Sequence, residues 1–107
     1  MPVVRPGSRI RTMSELYDRI ELLLADPAKD RVRLEQTLTD GYAEALALEA
    51  EGRRLQSRLT ELAKEAEVGD LEANARELSS VARHLDGTTV ELARLRSVLA
   101  ELRARAA

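Results

Sequence analysis

Apolar residues recur along most of this chain at helical spacing, and three segments carry the pattern. In the first, Met13, Leu16, Ile20 and Leu23 follow one another at intervals of three, four and three, with Tyr17 and Leu24 widening the stripe. Such spacing places one apolar face on a helix, and it predicts helix 1 over about 13–25. Thr12 and Glu15 suit a capping box at its start, the hydroxyl and the carboxylate each satisfying an orphan amide. Asp26-Pro27 ends the pattern, because a residue before proline is pushed out of the α region. Asp26 then suits the cap of the next helix with Pro27 in its first turn; a later start at Asp30 is the alternative.

The second segment has the strongest signal. Leu34, Leu38, Gly41, Ala45, Leu48, Gly52, Leu55, Leu59, Leu62 and Ala66 alternate in steps of four and three without a slip. That is a sustained heptad repeat, predicting helix 2 over about 28–67, of which 30–67 alone spans roughly 55 Å at ~1.5 Å per residue. A helix of that length has to pair with another. Val68-Gly69-Asp70 reads as stop and restart, with Gly69 in the left-handed closing position and Asp70 capping the third segment. Helix 3, about 70–104, continues the repeat at Leu71, Asn74, Leu78, Val81, Leu85, Thr88, Leu92, Leu95, Leu99, Leu102 and Ala106.

Two heptad helices of similar length joined by a very short turn fold back antiparallel. Reflection about the turn puts Leu62 near Glu77 and Leu78, Leu55 near His84 and Leu85, and Leu38 near Leu102. Asp86-Gly87-Thr88-Thr89 interrupts helix 3 chemically, and Thr88 with Glu91 could cap a new helix. The unbroken heptad phase argues for continuity, since an independent helix need not keep phase. The same reflection sets Gly52 opposite Gly87, where two backbones could approach closely. Asn74, at a seam position, suits a register-fixing amide.

The expected architecture is therefore all-α, a short N-terminal helix plus a long antiparallel, coiled-coil-like helical hairpin. Residues 1–11 read as a flexible basic arm carrying Arg5, Arg9 and Arg11, and residues 12–107 as a single helical domain. Gly41, Ala45, Gly52, Asn74 and Thr88 weaken the seam, and Tyr42, Leu46, Val90 and Val98 lie off it. Helix 1 is long enough to cover only part of the hairpin. Self-association into a dimeric helical bundle is the simplest cover for the rest.

Composition narrows the chemistry. The chain has 107 residues, 34% of them charged and 2% aromatic, with no cysteine and a formal net charge of −2. The absence of cysteine removes disulfides, thiolate metal sites and a cysteine nucleophile. Weak net charge, few aromatics and no DNA-binding motif argue against nucleic acid. The longest apolar run, Leu22 to Ala25, cannot span a membrane, and the N-terminus lacks the apolar core of a signal peptide, so the cytoplasm is expected. Fifteen arginines against two lysines point to a GC-rich, bacterial genome.

No P-loop, G-x-G-x-x-G or H-E-x-x-H is present. His84 is the single histidine and sits beside the seam, without the partners a metal would require. The expectation is a non-enzymatic protein–protein interaction or regulatory module with no cofactor and no metal, pairing with itself and with a protein partner. One face draws attention as a candidate partner or anion site: Arg53, Arg54 and Arg58 on helix 2, with Arg76, Ser80 and Arg83 on helix 3.

Ser80 and Arg83, followed by Glu91, partly resemble the spaced Glu, Ser, Arg, Gln, Asp pattern by which short helical-hairpin anti-sigma factors of actinobacteria bind a cyclic dinucleotide. Here Arg76 stands at the Glu place and Gly87 at the Gln place, and the resemblance is confined to helix 3. It implies a second reading, an anti-sigma-like or ligand-sensing regulator that takes an anionic ligand on the arginine-rich face.

Overall fold

The computed structural model describes the backbone of residues 6–107 and the side chains from Met13 onward. It contains three α-helices, α1 (Pro6–Ala25), α2 (Arg31–Val68) and α3 (Leu71–Ala106), and no strand among the described residues. α1 starts seven residues before the expected Met13, so residues 6–11 have helical backbone where an arm was expected. Residues 1–5 of that arm, and the Thr12 side chain of the expected capping box, lie outside the described residues.

The start of α2 agrees with the later of the two sequence readings. Residues 26–29 form a turn in which the Lys29 amide donates to the Asp26 carbonyl at 3.3 Å. Asp30 is the cap: its Oδ1 accepts from the Arg33 amide at 3.0 Å, and its carbonyl takes the first helical bond, from Leu34 at 3.0 Å. Asp70 does the same for α3, with Oδ1 accepting from Glu72 at 3.0 Å and Ala73 at 3.3 Å. Each cap satisfies amides that a helix start otherwise leaves orphaned. Gly69 differs from expectation, since no glycine among the described residues has a positive φ. Its role is steric: a Cβ there would stand 3.1 Å from the Glu65 carbonyl oxygen and 3.4 Å from Asn74 Nδ2. α3 runs unbroken through Asp86-Thr89, and Thr88 is buried within it instead of capping a new helix.

The chain divides into two compact units. One is a three-helix unit, comprising the chain up to Ala43 together with Leu95–Ala107; the other is a hairpin unit, Glu44–Arg94. In the three-helix unit the stripe of α1 (Met13, Leu16, Ile20, Leu23) packs with Leu34 of α2 and with Leu95, Leu99 and Leu102 of α3. The last three are 0%, 1% and 0% exposed. Leu99 seats against the backbone of α2 at Gly41: a Cβ added there would clash with Leu99 Cδ2 and stand 3.1 Å from Cδ1 and 3.3 Å from Cγ.

Polar contacts fix how α1 docks in this unit. Arg19 of α1 donates to Asp40 at 2.9 Å and to the hydroxyl of the fully buried Thr37 at 3.0 Å. Arg105, near the end of α3, donates to the Leu24 carbonyl at 3.1 Å and pairs with Glu101 at 3.0 Å. A cation on the last carbonyls of a helix satisfies groups that have no intrahelical donor and favours the negative end of its dipole.

In the hairpin unit α2 and α3 run antiparallel. Arg58 reaches Glu77, Glu51 reaches His84, and a Cβ added at Gly52 would stand 4.0 Å from Leu85 Cδ1. This is within about one helical turn of the register expected from reflection. Gly52 and Gly87 do not face each other: Gly87 is exposed, with nothing within 4 Å of the position a Cβ would take. Leu71, expected in the seam, is exposed beside Val68 at the turn, because no residue lies beyond the turn to cover either. Asn74 is half-buried there.

The glycines give opposite tests. Alanine gains up to ~1 kcal/mol over glycine in a helix interior. Gly87→Ala, in open space, is expected to raise the urea midpoint by about that gain. Gly41→Ala is expected to lower it, since forcing a methyl against Leu99 costs ~1–3 kcal/mol by overpacking. Arg19→Met strands the buried Thr37 hydroxyl and is expected to cost ~1–3 kcal/mol in urea unfolding; adding Thr37→Val should recover most of this, as removing both partners is nearly neutral.

Candidate functional site

The heptad positions give each face of the hairpin unit an address. With seam residues at a and d, the g position precedes each a residue and the e position comes after each d residue. In an antiparallel pair g faces g and e faces e, and these flanking positions are where interhelical ion pairs form. The g flank of the hairpin unit holds Glu44, Glu51, Arg58 and Glu65 on α2, and Glu77, His84 and Glu91 on α3. The e flank holds Glu49, Gln56 and Ala63 on α2, and Ala75, Ala82 and Thr89 on α3.

Charge is organised on the g flank. Arg58 donates to Glu77 at 2.8 Å and to Glu61 at 3.3 Å, with Glu65 at 3.9 Å. The hydrogen bond to Glu77 and the negative field of that carboxylate raise the guanidinium pKa above its ordinary value, with Glu61 and Glu65 adding to it. For a base, a raised pKa gives stability that is lost only as pH climbs through the folded value. Here that lies above the ordinary arginine range, so the guanidinium stays charged across working pH. His84 Nε2 lies 3.1 Å from the half-buried Glu51.

The six residues of the expected arginine face divide between α2 and α3. Arg53, Arg54 and Ser57 line a shallow open groove on the outer side of α2 with Ala50, Arg58 and Glu61. Arg76, Ser80 and Arg83 occupy outer positions of α3, turned away from the same seam by the 3.6-residue period. Arg53 is paired with Glu49 at 3.3 Å and Arg76 with Glu72 at 3.1 Å. Arg54 and Arg83 form no ion pair with another described residue. Of the six, only Arg58 reaches from one helix to the other.

Among the described residues, no group of three or more His, Asp or Glu side chains is placed to hold a metal ion, and no helix is long and apolar enough to cross a membrane. A shallow concavity beside the α1–α2 turn is lined by Leu22, Leu23, Asp26, Lys29, Asp30 and Arg33. The seam itself is the feature that stands out. In the hairpin unit Leu62 is fully buried, with Ala45, Leu48 and Thr88 nearly so. Leu55, Leu59, Leu78, Val81, Leu85 and Leu92 are only half-buried, and Leu46 and Val90 are exposed.

Sequence reasoning missed the Arg19, Thr37, Asp40 and Arg105 contacts. A signal for one of them was present. Thr37 is a g residue, and every later g residue of α2 through Glu65 is charged; the uncharged one is where α1 docks. Compared with known proteins, the chain matches no family model, no curated protein and no solved structure.

Arg58 is the test of the g flank. Arg58→Gln leaves Glu61, Glu65 and Glu77 repelling one another, and is expected to lower the melting temperature at low salt. The difference should narrow near 1 M NaCl, where the Debye length falls to ~3 Å. Arg54→Gln and Arg83→Gln are expected to leave the melting temperature unchanged in both conditions.

Proposed function

We propose that this chain is a non-enzymatic helical interaction and regulatory module acting in the bacterial cytoplasm, whose hairpin unit is the docking element. The observation that carries the reading is the difference in seam burial. Leu95, Leu99 and Leu102 are essentially closed to solvent where a third helix packs on them. Their counterparts Leu55, Leu59, Leu78, Val81 and Leu85 remain half-buried. Each apolar side chain left open forgoes part of the ~1.5–3 kcal/mol that full burial contributes. A row of such residues at heptad spacing is the footprint an amphipathic helix or helical pair reads. In this reading the chain self-associates, and the dimeric bundle is the state in which the seam is covered.

Light scattering on a sizing column over a range of concentrations tests this. The expected outcome is a mass of twice the chain, persisting on dilution and reverting to one chain in Leu59→Glu. A wild-type chain that stays monomeric at every concentration would remove self-association from the reading.

A further inference from the structure

Dimerisation leaves open which side of the hairpin unit meets its partner, and the distribution of charge answers that. Bundle helices bury the a and d positions plus one of e or g. The g flank is poorly suited to be that third position. It carries Glu44, Glu51, Arg58, Glu65, Glu77, His84 and Glu91. Arg58–Glu77 and Glu51–His84 already span it from helix to helix. Burying these charged and polar groups behind a second protein surface would cost desolvation that their mutual attraction seldom repays.

The e flank is the reverse. Through the middle of the hairpin unit it presents Gln56, Ala63, Ala75, Ala82 and Thr89, none of them charged. The half-buried a residues Leu59, Leu78 and Leu85 lie beside it. Ala63 and Ala75 are exposed and Ala82 is half-buried, so the flank offers an approaching helix small side chains on either side of the uncharged Gln56. Small residues let two helices approach to the ~8 Å end of the usual packing range.

Resting on the dimeric reading, we propose that the e flank of the hairpin unit is the surface on which a second copy of this chain docks, giving a four-helix bundle. The choice of occupant rests on charge. A twofold interface sets one patch against its own copy, so a patch of one net sign meets the same sign. A flank neutral through its centre avoids this repulsion, whereas the g flank would bring its surplus of glutamates face to face. An acidic or basic partner of different sequence would find no complementary charge on the middle of the e flank, between Gln56 and Thr89.

The absence of cysteine permits a direct test in the full-length chain. Gln56→Cys and Ala82→Cys place a thiol at mid-length of the e flank, on α2 and α3; Arg54→Cys places one on the outer face. Each variant is oxidised mildly alone, and the two e-flank variants also as an equal mixture. If the e flank is the interface, an e-flank thiol meets its partner at high effective concentration and forms inter-chain disulfide about tenfold or more faster than Arg54→Cys. Like-with-like links mean antiparallel copies; Gln56-to-Ala82 links in the mixture mean parallel ones. Ala82→Glu, checked for retained helicity, should convert the dimer to monomer, and Arg54→Glu should not. A chain that is dimeric by light scattering but cross-links no faster at either e-flank site than at Arg54 overturns the assignment of the flank alone. A monomeric chain overturns the dimer and the flank together.

Discussion

Two helices in contact close only the strip that lies directly between them. The rest of this structure depends on how that limit is met. In the three-helix unit a third helix closes Leu95, Leu99 and Leu102, and two small features make the closure possible. Gly41 lets Leu99 sit against the backbone of α2, and the Arg19 fork supplies the buried Thr37 hydroxyl with a donor. In the hairpin unit the limit applies in full, and half-buried leucines record it. The functional reading grows from this contrast, because the same heptad pattern is satisfied in one unit and left open in the other.

Charge then divides the surface that the seam leaves over. Surface ion pairs contribute little individually, so the g-flank cluster around Arg58 matters less for stability than for exclusion. It makes one side of the hairpin unit costly to cover and leaves the neutral e flank as the alternative.

The long-range order of the fold was legible in the sequence because heptad phase is a strong, cumulative signal. It yielded α2, α3, their antiparallel register and the continuity of α3 through Gly87. The ends were less legible. Asp26 and Asp30 are both competent caps, and the choice depends on the turn formed between them. Gly69 satisfied the rule for a left-handed closing residue, yet crowding by Glu65 and Asn74 is what its position demands. Leu71 fits the apolar period but lies where no residue remains to cover it. Thr37 escaped because a threonine in a helix signals nothing until the charged residues at its equivalent positions are set beside it.

The bond from Arg105 to the Leu24 carbonyl bears on the order of assembly. Its partners lie 81 residues apart in sequence, whereas Arg58 and Glu77 are separated by 19. Loop closure grows costlier with the length of chain enclosed, and contacts between sequence neighbours form first. Arg19 and Thr37 are separated by only 18, so α1 meets α2 as readily as α2 meets α3. Once both short-range pairings have formed, the chain between Leu24 and Arg105 is no longer a long free loop, and α1 and α3 close on each other at little further cost. During synthesis α1 can therefore settle on α2 well before the Leu95, Leu99 and Leu102 face of α3 is made.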